Sequence, residues 1–245
     1  MKSHKIDYAV LGDEMQVLRI EIDPGESVIA ESGSMMFMEN GIELQPIVGD
    51  ASDSEMNLMD KFLKNNSRMV SGENLFMNLF TNRGIVKKEI AFVAPCQGKI
   101  IPLDLSEYGN HIICNKKSFL CGAKGVSIGV EFVKKIGAAL LGSEGFFLQK
   151  LEGDGMAFVH ASGTVIKREL MPGKTIIIDL ECLIAFTQDI TYDVEFVKGI
   201  TSALLGGEGF FTTTVTGPGT VWMQSHPISR LAVRLEQEMP ERRNR

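Results

Sequence analysis

Residues 130–147 read VEFVKKIGAALLGSEGFF and residues 194–211 read VEFVKGITSALLGGEGFF, so 14 of 18 positions recur 64 residues later. The match extends both ways: Gly109 falls on Gly173, and Gly153 and Gly155 fall on Gly217 and Gly219. Each copy has to be one structural unit whose apolar surface is completed by its neighbours. A diverged third copy stands at the front. There Pro24-Gly25-Glu26-Ser27-Val28-Ile29 matches Pro172-Gly173-Lys174-Thr175-Ile176-Ile177, and Ser71-Gly72-Glu73-Asn74-Leu75-Phe76 resembles Gly142-Ser143-Glu144-Gly145-Phe146-Phe147.

From turn glycine to motif glutamate the later copies span 35 residues (109 to 144, 173 to 208), whereas the first spans 48, from Gly25 to Glu73. The 13 extra residues are read as a loop insertion around Glu39–Glu55, and seven more fall near Thr81–Lys88. Residues 1–235 are thus expected to form a single compact domain of three pseudo-repeats, about 15–90, 91–155 and 156–222, around a pseudo-threefold axis. Residues 236–245 are read as a polar tail.

Alternation marks strands within each unit. Met15–Ile22 is close to period two and ends at the turn Asp23-Pro24-Gly25-Glu26. Ile100–Leu105, Ile112–Cys114, Ile176–Ile178 and Leu183–Phe186 are short apolar runs bounded by Gly, Pro or Asn. Thr212–Thr216, Gly217-Pro218-Gly219 and Thr220–Met223 read as a hairpin, with Leu148–Leu151 and Met156–Val159 as the equivalent pair. The Met-rich run Ser34–Met38 reads preferentially as a buried strand, with an adaptable binding surface as the alternative. Short helices are expected over Phe132–Leu141 and Phe196–Leu205, with Asn57–Lys64 as the first-copy counterpart. The fold class is therefore all-β with short helices, built as tandem pseudo-repeats of a β-sandwich or barrel-like unit.

Composition narrows the function. With 25 Lys+Arg against 31 Asp+Glu the net charge is −6, which lacks the basic footprint of a nucleic-acid binder. No run approaches the ~20 apolar residues of a membrane-spanning helix, and the start Met1–Asp7 has no apolar leader segment, so a cytoplasmic location is expected. Cys96, Cys114, Cys121 and Cys182 form no CxxC, and His4, His111, His160 and His226 are isolated, so no metal-ligand pattern is present. Nucleophile-elbow, P-loop and dinucleotide signatures are also missing. Glu169 with Glu181, or Asp179 with Asp189, is a conceivable acid–base pair that nothing in the sequence selects.

The repeated Glu-Gly-Phe-Phe is the sharpest local motif. Glu73, Glu144 and Glu208 converging on an axis would form a carboxylate ring for a cation. The preferred reading is structural, with the glutamate satisfying a nearby amide and the paired phenylalanines facing opposite sides. An outward second Phe calls for cover from another subunit, so a homo-oligomer is the expected partner state.

Three segments carry a family resemblance over roughly residues 5–235: Glu31–Met38, Gly145–Gly155 and Gly98–Leu103. They resemble the bacterial family related to the altered-inheritance-of-mitochondria protein, member twenty-four. The resemblance implies a fold like the subunit of the tryptophan RNA-binding attenuator protein, a variant of the double-stranded β-helix, duplicated within one chain. Its mitochondrial members are associated with inner-membrane organisation, which makes peripheral membrane contact a further expectation. It brings no catalytic, cofactor-binding or metal-binding residues and no cofactor. The expected function is a non-enzymatic oligomeric scaffold or interaction protein. The alternatives are a small-ligand binder with a pocket between repeats and, third, a carboxylate-based enzyme.

Overall fold

The computed structural model describes residues 2–48, 76–132, 147–197 and 210–238. Asn57–Lys64, residues 133–141 and 198–205 of the other two expected helices, and Glu73, Glu144 and Glu208 lie outside the described residues. Phe132, Phe196 and Val197, read as opening those two helices, instead end strands, and Ile42–Val48 within the expected loop insertion Glu39–Glu55 is a paired strand, with residues beyond 48 outside the described ones. The first unit supplies β1 (Asp7–Leu11), β2 (Val17–Ile22), β3 (Ser27–Glu31), β4 (Met35–Met38), β5 (Ile42–Val48), β6 (Phe76–Asn82) and β7 (Lys88–Val93). By strand equivalence the second unit runs past the expected boundary at 155 and supplies β8 (Gly98–Asp104), β9 (His111–Asn115), β10 (Phe119–Ala123), β11 (Ser127–Phe132), β12 (Phe147–Glu152) and β13 (Met156–Ser162). In the third are β14 (Val165–Leu170), β15 (Thr175–Asp179), β16 (Leu183–Thr187), β17 (Thr191–Val197), β18 (Phe210–Thr216) and β19 (Gly219–Gln224), followed by helix α1 (Ile228–Glu238). Every ladder between these strands is antiparallel.

The strands make four sheets: β1-β2-β7-β4, β5-β6-β3-β10-β13-β8, β11-β12-β9-β16-β19-β14 and β15-β18-β17. Each six-stranded sheet joins half of one unit to half of the next. The joints are β3 on β10, with Ile29 opposite Gly122, and β9 on β16, with Ile113 opposite Phe186. The same register irregularity falls at Met36, Leu120 and Ile184, where β4, β10 and β16 meet β7, β13 and β19. Gly25, Gly109 and Gly173 all take left-handed φ, at 84°, 69° and 74°. No atom crowds Gly25 or Gly173, so there it is the turn geometry, not space, that requires glycine.

Three apolar clusters fill the sandwiches. Leu18, Ile20, Phe80 and Phe92 centre the first, Leu103, Ile112, Leu151 and Val159 the second, and Leu183, Phe186, Val215 and Val221 the third. Strands at the joints feed two clusters, because successive side chains point to opposite faces. On β3, Val28 and Ala30 enter the first cluster and Ile29 the second; on β9, Ile112 and Cys114 enter the second and Ile113 the third. Both joints are consequently buried on both faces.

Several expectations change. The Gly217-Pro218-Gly219 corner does not close a hairpin: β18 pairs with β15 and β17, while β19 pairs with β14 and β16. Both edges of each strand are already taken, so the corner carries the chain from one sheet to another. The same holds for β12 and β13. A helix not expected from the sequence follows β19, and α1 continues to Glu238, into the segment read as tail. Phe211 is half-buried against Phe196, with ring centroids 5.0 Å apart, rather than facing outward.

Candidate functional site

Two features stand apart from the packed sandwiches. One is a cavity of about 190 Å³ beside the start of α1, bounded by residues of all three units. Glu31 and Asn115 reach it from the ends of β3 and β9, His160 and Ser162 from β13, and Glu181 and Gln224 from the third unit. A polar frame holds these groups. The Ser162 amide donates to Gln224 Oε1 at 2.8 Å, and Gln224 Nε2 donates to the Glu181 carbonyl at 2.8 Å. Cys96 Sγ lies 2.6 Å from Ser162 Oγ, and Ser229 at the head of α1 donates to Glu181 Oε2 at 2.6 Å.

Two titratable groups in this wall have their charge suppressed. Burial pushes the Glu31 carboxyl up to about 7 and pushes His160 down to about 4. His160 is 6% exposed, and neither ring nitrogen meets a hydrogen-bond partner. The sequence names His160 only as an isolated histidine and Glu31 only as the start of a family segment, with no site role for either. A signal was present in the repeat: His160 stands where the first unit has Val93 and the third has Gln224, each one residue beyond the Phe92, Val159 and Met223 positions that face β4, β10 and β16. Polar groups at this position in two of the three copies mark a local departure from pure packing.

The other feature is a pair of uncovered sheet edges. The run Met35–Met38 is a strand, but it is exposed at all four positions, which corrects the expectation of burial. Its equivalents β10 and β16 are buried at all five. Leu120 and Ile184 are 0% exposed, whereas Met36 is 58% exposed. At the other end, Ile29 and Ile113 are 0% and 6% exposed and the equivalent Ile177 on β15 is 71% exposed. Met36, Phe37 and Ile177 stand at positions that an adjoining unit covers elsewhere, and among the described residues nothing covers them.

Of the four carboxylates singled out, Glu169 and Asp189 are not brought together with their proposed partners by any contact, and Asp179 and Glu181 make structural contacts. Asp179 Oδ2 pairs with Arg230 Nη2 at 2.7 Å, its other oxygen accepts from the Glu181 amide, and Glu181 receives Ser229. Among the described residues no three His, Cys, Asp or Glu side chains are grouped to hold a metal ion. Cys114 and Cys121 are buried, Cys96 and Cys182 half-buried, and all four are free thiols. No helix among the described residues is long and apolar enough to cross a membrane.

The profile of the family described as mitochondrial biogenesis AIM24 matches residues 8–226. The chain belongs to this family. An uncharacterised protein of Streptococcus pyogenes serotype M6 is 26% identical over 232 residues, covering 94% of this chain and 90% of that one. A crystal structure of a Streptococcus pyogenes protein superposes with a TM-score of 0.75 at 22% identity, over 96% of this chain and 100% of the other. That likeness is one of fold. The all-β architecture is thus shared by this AIM24 chain and its structural neighbour.

Proposed function

We propose that this AIM24 chain is a non-catalytic assembly protein that works by edge-to-edge association of its sheets. The observation that carries the reading is β4: it is exposed along its whole length, while its two equivalents in the same chain are completely covered. Exposed apolar edge strands are templates for further pairing, and proteins that remain monomeric blunt them with charge, proline or cover. Edge addition supplies backbone hydrogen bonds and side-chain pockets together, which suits a scaffold. Sedimentation of the purified chain across a concentration series tests this. Species heavier than the 26.9 kDa chain, growing with concentration, are expected. A single species at the monomer mass throughout overturns it.

A second reading rests on His160. A buried imidazole with both nitrogens unpartnered, facing a cavity lined by Glu31, is suited to hydrogen-bonding a small polar molecule. Native mass spectrometry of gently purified protein tests it: a bound small molecule lost in His160→Leu supports this reading, and bare chain in every preparation removes it.

A further inference from the structure

The open edges are not only unpaired. They are complementary, and the chain itself carries two worked examples of how they pair. Building on the assembly reading, we infer that β4 of one copy pairs antiparallel with β15 of a second copy, with Met38 opposite Ile177 and Phe37 opposite Ile178, forming a head-to-tail joint.

The register follows from the two internal joints. Ile29 opposes Gly122 and Ala30 opposes Cys121 in the first; Ile113 opposes Phe186 and Cys114 opposes Ala185 in the second. Ile177 and Ile178 are the third-unit equivalents of Ile29 and Ala30, and Met38 and Phe37 are the first-unit equivalents of Gly122 and Cys121. The side chains fit the same scheme. Ile113 crosses from its own unit into the next unit's cluster, and Ile184 and Ala185 cross back into the preceding one. In the new joint Ile177 enters the first-unit cluster of the neighbour, and Met36 and Phe37 of that neighbour enter the third-unit cluster.

The other edges argue for this choice of partner. At the remaining sheet edges, β1 carries Asp7 held by Lys87, β5 has Glu43 and Pro46, and β8 has Lys99, Pro102 and Asp104. Likewise β11 carries Glu131, β14 has Lys167, Arg168 and Glu169, and β17 has Asp193 and Glu195. Such residues deter pairing. β4 (Met-Met-Phe-Met) carries none, and β15 (Thr-Ile-Ile-Ile-Asp) carries only its terminal Asp179, held by Arg230. The two undefended edges are the two that the repeat leaves complementary. Because they are different surfaces, the joint is heterologous, and each copy in principle offers one of each.

Two single variants and their mixture test the joint: Met36→Glu on one edge and Ile177→Lys on the other. Both positions are exposed, so folding is checked simply by thermal melts matching the wild type. Each variant alone should lose self-association by roughly a hundredfold or more, since pairing would bury an unpaired charge. Mixed in equal amounts they should recover a dimer and no more. The intact β4 of the Ile177→Lys chain can meet the intact β15 of the Met36→Glu chain, leaving both outer edges spoiled. Wild-type association that survives both variants overturns this joint while leaving the assembly reading in place. Loss in Met36→Glu alone, with no rescue on mixing, points to a symmetric β4–β4 contact and also overturns it. Wild type that is monomeric at every concentration overturns the assembly reading itself.

Discussion

Arg230 Nη2 sits 2.7 Å from Asp179 Oδ2, tying the C-terminal helix to the end of β15. Asp179 is the third-unit equivalent of Glu31 and Asn115, and Asn115 reaches forward to the Leu180 carbonyl at 3.4 Å. At the third unit it is α1 that provides the contact. Arg230→Ala is expected to cost only about 0.5 kcal/mol, because the pair is partly exposed and screened. Limited proteolysis should nonetheless cut near α1 sooner than in the wild type, and an unchanged cleavage pattern would refute the tethering role.

The wall of the cavity has an expected pH signature. Glu31 is raised from 4.5 to about 7, so its contribution to stability is complete below pH 4.5 and is lost as pH rises to 7. His160 is lowered from 6.5 to about 4, so its contribution is complete above pH 6.5 and is lost as pH falls to 4. The two slopes oppose one another between pH 4.5 and 6.5. Glu31→Gln should therefore leave stability rising with pH across that window, and His160→Gln should leave it falling. Urea midpoints measured through the window check this, and parallel profiles for the two variants would contradict it.

Asn82 organises the connection between β6 and β7, where the first unit carries its extra residues. Its side-chain amide donates to the Ile22 and Val86 carbonyls, both at 2.9 Å, and its oxygen accepts from the Gly84 amide at 2.8 Å. The residue is fully buried. Asn82→Ala strands these backbone groups and should cost about 2–3 kcal/mol, read from the shift in denaturant midpoint. A loss below half of that would show that water takes over the bonds.

The turn glycines allow a graded comparison. Gly173→Ala places a Cβ in open space but in the left-handed region, at an expected cost of about 1 kcal/mol. Gly109→Ala meets the same strain and also brings Cβ to 2.7 Å from Gln188 Nε2, so it should cost more unless that side chain swings away. Fluorescence of Trp222, the single tryptophan, buried 5.3 Å from the Tyr108 ring, follows unfolding of both variants. Equal midpoints would mean Gln188 moves freely.

Much of this architecture was legible before any coordinates. The turn at Gly25, the strands at Ile112–Cys114 and Leu183–Phe186, and the longer connection near Thr81–Lys88 follow from local pattern, because backbone angle and side-chain alternation are local properties. The hairpin at Gly217-Pro218-Gly219 was misread because a corner between sheets and a hairpin turn use the same residues. Helix α1 was missed because its pattern is short and strongly charged. Glu31 and His160 carry no site role in the sequence because each matters through what lies around it.

The sequence by itself determined the class of the protein, the recurrence of its units and the places where the backbone must turn, since these rest on spacing and on the conformational limits of single residues. It also determined membership of its family. Only the tertiary structure decided which strands share a sheet, that Met35–Met38 is uncovered, and that Ile177 faces solvent where Ile29 and Ile113 are buried. Equivalent residues in a repeat have the same local preferences, but burial depends on whether a neighbouring unit exists. Among the described residues none covers β4 or Ile177, and that difference is written in space rather than in the residues.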